Sequence, residues 1–121
     1  MSRIDCIMSL TSINPATGEI SHEYPELTPD ELTQKLAVAR DTFLHWRETS
    51  FTHRAERMKR MAVLLRDNAR QYGELMATEM GKPILQGKAE AEKCALVCEY
   101  YAENAEKFLT PEPVQTDASE S

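Results

Sequence analysis

The pair Gly81-Lys82, inside the stretch MATEMGKPI, is the first place where this chain could perform chemistry. Such a pair ends a phosphate-binding loop when earlier glycines let several backbone N–H groups converge on the anion and when Ser or Thr follows the lysine. Here Pro83 follows the lysine, and Met76 stands where the first glycine of that pattern would fall. We therefore predict a helix end at Gly81, with Pro83 preventing continuation of the helix.

Cys94 and Cys98 stand one helical turn apart and are the second candidate, as a pair of metal ligands. No histidine or further cysteine pair stands at a ligand spacing around them. A nucleophilic cysteine would need a base and an oxyanion site, and the sequence assigns neither. Both cysteines fall on an apolar helical stripe, so we predict that they pack in the core and that the chain has no metal site.

The composition excludes several classes of partner. The net charge of −6 argues against nucleic acid and against an anionic membrane, and no segment approaches the roughly 20 apolar residues that span a bilayer. The basic stretch RAERMKRMAVLLR contains Glu56 and lacks aromatic residues, which favours a solvated or docking helix face over phosphate binding. Three cysteines, an odd number, fit a reducing compartment, so we predict a cytoplasmic protein.

A β-hairpin and three to four helices are predicted to position these residues. Residues 4–24 have the pattern of a hairpin, with Pro15 and Gly18 in its turn. The first helix begins at TPDE, where Thr28 and Glu31 form a capping box. Its apolar residues recur at helical spacing and form one stripe: Leu32, Leu36, Ala39, Phe43 and Trp46.

The later helices carry narrow, alanine-rich stripes. The second helix begins near Ser50 or Thr52 and is predicted to bend or break at Gly73. A short third helix carries Leu75, Met76 and Met80, and the last helix runs from about residue 86 to 109. The stripe of the second helix is Ala55, Met58, Ala62, Leu65, Ala69 and Tyr72, and that of the last is Ala91, Cys94, Cys98, Tyr101, Ala105 and Phe108.

The fold class predicted for this chain is mainly α, with an N-terminal β-hairpin. Narrow stripes of this kind suit helices that lie on a sheet, yet the chain offers no strands for a central sheet. After residue 109 the sequence TPEPVQTDASES predicts an extended linker. We divide the chain into a hairpin segment (1–25), a helical segment (26–109) and a linker (110–121).

Taken in order, four stretches resemble the N-terminal segment of an NAD(P)-dependent aldehyde dehydrogenase. They are INPATGE; then WR followed by the MAVLLRDNA helix; then ELMATEMGKPI; and finally AEAEKCALVCEYYAENAEKFL. The resemblance is greatest to the bacterial succinate-semialdehyde dehydrogenase branch and covers residues 10 to 121. It implies that the chain is the N-terminal piece of the larger α/β fold of that family. The helical segment would then form the outer part of the NAD-binding domain.

The same resemblance implies that the family's catalytic and cofactor-binding motifs lie beyond these 121 residues. They are the tunnel Asn, the base Glu in Glu-Leu-Gly-Gly, the nucleophile in Gly-Gln-x-Cys and the adenine-side Gly-Ser-Thr. We therefore assign no catalytic and no cofactor-binding residue here. The parent enzyme would use NAD or NADP and form a homo-oligomer, and no cofactor is expected on this chain alone.

By resemblance, the last long helix borders the substrate entrance. This position makes Lys93, Ala89 and Val97 candidates for the mouth of the tunnel. The ammonium group of Lys93 could attract an aldehyde that carries a carboxylate, although a solvated lysine is the simpler interpretation.

The leading functional hypothesis is a partial aldehyde dehydrogenase, inactive alone, whose parent oxidises an aldehyde, such as succinate semialdehyde, to the acid with NAD(P)+. The alternative is a non-catalytic module that docks onto a full-length homologue or onto a separately encoded remainder, motivated by its exposed apolar stripes. An independent helical regulator is a third possibility, without a positive feature in its favour.

Overall fold

The computed structural model describes residues 9–115 of the chain. In chain order the elements are β1 (Ser9–Ile13), β2 (Ile20–Pro25), α1 (Pro29–Trp46), α2 (Phe51–Asp67), α3 (Ala69–Met80) and α4 (Ile84–Leu109). The predicted mainly helical fold with a hairpin is confirmed. Residues 110–115 follow α4 without helix or strand, while the predicted hairpin residues 4–8 and linker residues 116–121 lie outside the described range. None of the four helices is both long enough and apolar enough to cross a bilayer.

The hairpin is closed by the turn that the sequence predicted. β1 and β2 pair antiparallel, with an irregularity in the register between Ser12 and Ile13. The side chain of Asn14 accepts a hydrogen bond from the backbone N–H of Ala16 at 2.9 Å. Gly18, at φ +74°, donates its N–H to the carbonyl of Asn14 at 2.8 Å. A left-handed φ of this kind favours glycine, so the turn depends on this residue.

Helix α1 begins at the predicted capping box. The Thr28 hydroxyl accepts from the N–H of Glu31 at 3.2 Å, and the Glu31 carboxylate accepts from the N–H of Thr28 at 2.8 Å. The backbone N–H of Thr28, together with its hydroxyl, lowers the pKa of Glu31. Despite this well-formed start, no residue of α1 is buried, and the helix makes at most marginal contact with the other elements. Its predicted apolar stripe is therefore exposed, with Leu36 at 62% and Phe43 at 56%.

The break after α2 lies at Asn68, so the predicted break at Gly73 is wrong. Asn68 leaves the helical region (φ −106°, ψ 12°), and its side-chain amide donates to the carbonyl of Leu64 at 2.8 Å. Asparagine favours such local bonds over a helix interior. Gly73 instead lies inside α3 and is buried, because another helix passes directly over it.

Helices α2 and α3 both pack along α4, and we call residues 51–109 the three-helix unit. The closest approach joins Gly73 of α3 to Gly87 of α4. A Cβ on Gly73 would lie 2.8 Å from the carbonyl oxygen of Ile84, and a Cβ on Gly87 would lie 2.8 Å from the Cα of Gly73. The buried apolar side chains of the described residues are all alanines, namely Ala62, Ala69, Ala91 and Ala95.

The packed face of α4 differs from the predicted stripe. Gly87, Ala91 and Ala95 are buried, whereas Tyr101 and Phe108 are about half exposed. Cys94 is exposed and Cys98 is intermediate, so the predicted core packing is wrong for Cys94. The physical reason is the glycine crossing: where two helices approach this closely, only small side chains fit between them, and the bulky residues turn outward.

An ion pair ties α2 to α4. The guanidinium of Arg66 donates two hydrogen bonds to the carboxylate of Glu99, at 2.5 and 2.7 Å. These bonds hold the pKa of Glu99 below its ordinary value and raise that of Arg66. The two residues are 33 positions apart, so the pair is a contact between separate helices at the edge of their packed interface.

Candidate functional site on helix α4

Lys93, Ala89 and Val97 lie on one exposed face of α4. They are spaced four residues apart, which places them on the same side of the helix. This side points away from the buried residues Ala91 and Ala95. The structure therefore brings the three predicted residues together on a surface that neither α2 nor α3 covers.

Tyr101 and Phe108, which were predicted to lie on the apolar stripe of the last helix, extend this face together with Tyr100. The rings of Tyr100 and Tyr101 meet edge to face with centroids 5.4 Å apart, and Phe108 lies 6.1 Å from Tyr100. Val97, Tyr100, Tyr101 and Phe108 follow at helical spacing, and each is about half exposed. We call Lys93, Val97, Tyr100, Tyr101 and Phe108 the outer face of α4. The spacing from Val97 onward was the signal that could have identified it from sequence.

Lys93 is the cation of this face. Two neighbouring lysines are paired, Lys82 with Glu90 and Lys88 with Glu92. Among the described residues no carboxylate oxygen lies within 4.0 Å of the Lys93 ammonium group. The outer face thus combines an unpaired positive charge with an apolar, aromatic surface. This arrangement suits the binding of a small organic anion. We assign no catalytic group to the outer face.

A cleft of about 420 Å³, which shares Tyr101 with the outer face, lies between the first turns of α2 and the last turns of α4. Its walls are mostly apolar, with the Arg54 guanidinium stacked 4.6 Å above the ring of Phe51 on one side and Glu103 and Glu106 on the other. The cleft does not include Lys93, Ala89 or Val97. It therefore gives no enclosure to the predicted tunnel residues.

Gly81 ends α3, as the sequence analysis predicted. It adopts φ +72°, and its N–H donates to the carbonyl of Ala77 at 3.0 Å. The N–H of Lys82 donates to the carbonyl of Met76 at 3.3 Å. Both amides serve the helix end, so neither is free to bind a phosphate. The residues of this turn therefore do not fit the pyrophosphate of a dinucleotide.

No group of three or more potential metal ligands occurs between residues 9 and 115. The cysteines at positions 94 and 98 are both free thiols. Between residues 9 and 115 these two cysteines are therefore a pair of potential ligands, too few for a centre of three or more.

Comparison with known proteins places this surface in context. The family model described as the aldehyde dehydrogenase family matches residues 6–121. A protein of Mycobacterium leprae named succinate-semialdehyde dehydrogenase (NADP+) is 43% identical over 92% of this chain. An Escherichia coli protein named succinate semialdehyde dehydrogenase (NAD(P)+) is 39% identical over 84% of it.

The fold agrees with these sequence relatives. The crystal structure of succinic semialdehyde dehydrogenase from Streptococcus pyogenes, in complex with NADP+, matches 88% of this chain with a TM-score of 0.82 and 30% identity. In each comparison the match occupies a small part of the larger protein: 24% of the M. leprae protein, 22% of the E. coli protein and 24% of the S. pyogenes chain. The chain spans about a quarter of the length of the relatives that it matches.

Proposed function

The chain belongs to the aldehyde dehydrogenase family, and we propose that it forms the outer, N-terminal part of an NADP-type succinate-semialdehyde dehydrogenase. In this proposal a nucleotide-binding sheet, a catalytic cysteine and a base are supplied by residues beyond these 121. The residues of this chain would cover the outside of that sheet and form part of the path by which substrate reaches the catalytic cysteine. The reaction of the complete enzyme would be oxidation of the aldehyde to the acid, with the cofactor accepting the hydride.

The surface area of the chain carries this proposal. The chain exposes 10815 Å², whereas a compact monomer of its size exposes roughly 6,600 Å². An exposed surface of this size favours the interpretation that a whole domain covers the chain. A small ligand or a transient partner would cover much less of it.

The distribution of apolar side chains supports the same conclusion. Within residues 9–115 no large side chain is fully buried, and α1 contributes nothing to a core. A surface helix with an apolar stripe normally buries that stripe against the protein body. The stripe of α1 and the outer face of α4 are thus the two surfaces that a missing body would cover or line.

The substrate and cofactor are inferred from the relatives' names and from Lys93. Succinate semialdehyde carries a carboxylate, and the unpaired ammonium of Lys93 on the outer face supplies the charge that would attract it. The NADP preference rests on the names of the M. leprae and S. pyogenes proteins. The turn at Gly81 does not fit the pyrophosphate, so we derive no catalytic step from it.

A fragment-complementation assay tests the proposal. The M. leprae relative lacking its matched N-terminal quarter is mixed with this chain, with succinate semialdehyde and NADP+ as substrates. We expect no turnover by either piece alone and NADPH formation by the mixture. Adding the relative's own N-terminal quarter provides the positive control. Turnover by the 121-residue chain alone, or rescue by the relative's quarter but not by this chain, would contradict the proposal.

The docking-module alternative is distinguished in the same experiment. A complete homologue already carries its own N-terminal segment, so its corresponding surface is occupied and should not bind this chain. We expect the truncated relative, but not the intact one, to co-migrate with the chain on size-exclusion chromatography. Binding to the intact relative without any gain of activity would favour a non-catalytic docking module.

The role of Lys93 is tested in the reconstituted enzyme with Lys93→Gln. An exposed ion pair contributes up to about 1 kcal/mol, so we expect KM for succinate semialdehyde to rise about 2- to 5-fold with little change in kcat. KM for butanal, which lacks the carboxylate, should not change. Lys88→Gln is the matched control, because Lys88 is already paired with Glu92 on the same helix. Equal effects on both aldehydes would show that Lys93 does not select the carboxylate.

A further inference from the structure

We propose that Cys94 and Cys98 form a two-thiolate site for a soft, two-coordinate monovalent cation of the Cu(I) or Ag(I) class. The two residues lie one turn apart on α4, and both are free thiols. Cys94 is exposed and Cys98 is intermediate. A cation can therefore reach the pair from solvent, with one ligand held against the three-helix unit and the other at its surface.

The helix places the Cβ atoms of the two cysteines at a separation that suits a bridging ion. Side chains four residues apart on a helix have Cβ atoms roughly 5–6 Å apart, whereas a disulfide requires about 3.5–4.5 Å. The pair therefore stays reduced unless α4 unwinds. Two metal–sulfur bonds of about 2.3 Å each, as in zinc thiolates, span about 4.6 Å, which the two side chains can reach by rotation about χ1.

The surroundings select a low coordination number. Glu90, one turn before Cys94, is paired with Lys82, and Glu99, next to Cys98, is held by Arg66. Within the described residues no histidine, carboxylate or further cysteine joins the pair. Zinc requires four ligands and calcium or magnesium requires oxygen atoms, so these ions are disfavoured, whereas soft d¹⁰ monovalent ions accept two thiolates.

Silver(I) titration of the purified chain, followed by native mass spectrometry in nitrate buffer, tests the site. In the presence of glutathione as competitor we expect one silver ion to stay bound per monomer, with release of the thiol protons. In competition with glutathione, Cys94→Ser and Cys98→Ser should each weaken silver binding by about 100-fold or more, because the second thiol no longer acts at a high effective concentration. Cys6→Ser is the matched control and should bind silver as the unaltered chain does.

The exposed position of Cys94 keeps the test decisive even if Cys98→Ser disturbs packing. Cys94→Ser should preserve the helical circular dichroism and still lose the site. Silver should also raise the Tm of the unaltered chain, since the helix organises the ligands only in the folded state, and it should not raise that of Cys94→Ser. Unchanged affinity in Cys94→Ser, or silver that links two chains in place of binding within one, would overturn the proposal.

Discussion

The three-helix unit and the segment before it are organised in opposite ways. In the unit, α2 and α3 pack on α4 through a glycine crossing, buried alanines and the Arg66–Glu99 pair. In the preceding segment (residues 9–46), which we call the arm, the local hydrogen bonds are well formed but nothing in α1 is buried. The difference shows that good local signals are sufficient to define an element, but not to attach it to a core.

The arm touches the unit at one point in particular. Pro15, in the hairpin turn, lies against the end of α3, where a Cβ on Gly81 would be 3.1 Å from its ring. The other link is the short connection after α1, where the ring of Trp46 lies edge-on to His53 with centroids 6.0 Å apart. The arm is therefore the least packed part of the described chain.

Amide hydrogen exchange should show the largest contrast between the two regions. Amides in α1 should exchange nearly as fast as unprotected ones, because an unpacked helix opens with little cost. Amides in the centre of α4 should exchange at least roughly tenfold more slowly, which corresponds to about 1.4 kcal/mol of opening free energy. Equal protection in both helices would show that the arm is packed after all. In the reconstituted enzyme the amides of α1 should become protected.

Gly87→Val should give the largest change of stability in the unit. A branched side chain at the crossing must push α3 away from α4, since a Cβ alone would lie 2.8 Å from the Cα of Gly73. Overpacking of this kind costs about 2 kcal/mol or more, and urea unfolding monitored by circular dichroism measures it. Ala89→Val, on the exposed side of the same helix, is the control and should lower stability by only about 0.5 kcal/mol, the cost of a β-branched residue in a helix. Similar effects of both substitutions would argue against the tight crossing.

Removing the N-cap of α1 or of α2 should lower helix stability by less than Gly87→Val does, and the two substitutions can be compared directly. The hydroxyl of Thr28 caps α1, and the hydroxyl of Ser50 accepts from the N–H of His53 at 3.1 Å to cap α2. Replacing either residue by alanine removes about 1 kcal/mol of local helix stability. We expect Ser50→Ala to accelerate exchange in α4, whereas Thr28→Ala should reduce total helicity and leave α4 unchanged. Coupled responses would mean that the arm and the unit fold together.

The smallest effect is expected from Glu99→Gln, and it should depend on pH. Because the folded-state pKa of Glu99 is lowered by Arg66, the carboxylate stabilises the fold above its ordinary pKa. That contribution is lost as pH falls through the lowered value. The urea midpoint of the unaltered chain should therefore exceed that of Glu99→Gln at pH 7, and the gap should close towards pH 3. Glu103→Gln, which removes a carboxylate of α4 that has no ion-pair partner among the described residues, is the control.

The sequence alone determined the features whose partners lie within a few residues. The Thr28–Glu31 capping box, the Asn14–Gly18 turn and the left-handed Gly81 all depend on hydrogen bonds of short range, and each formed as predicted. The ordered set of family stretches likewise needed no coordinates. These features follow from the chemistry of single residues and their immediate neighbours.

Only the tertiary structure decided which face of each helix is covered. A spacing of three and four fits several overlapping stripes of α4, and the crossing at Gly73 and Gly87 selected Ala91 and Ala95 over Tyr101 and Phe108. The same crossing explains why Gly73 stays helical, while the helix breaks at Asn68. Which face of a helix is buried depends on how closely another helix, distant in sequence, approaches it. That distance depends on both helices, so the sequence of one helix alone does not determine it.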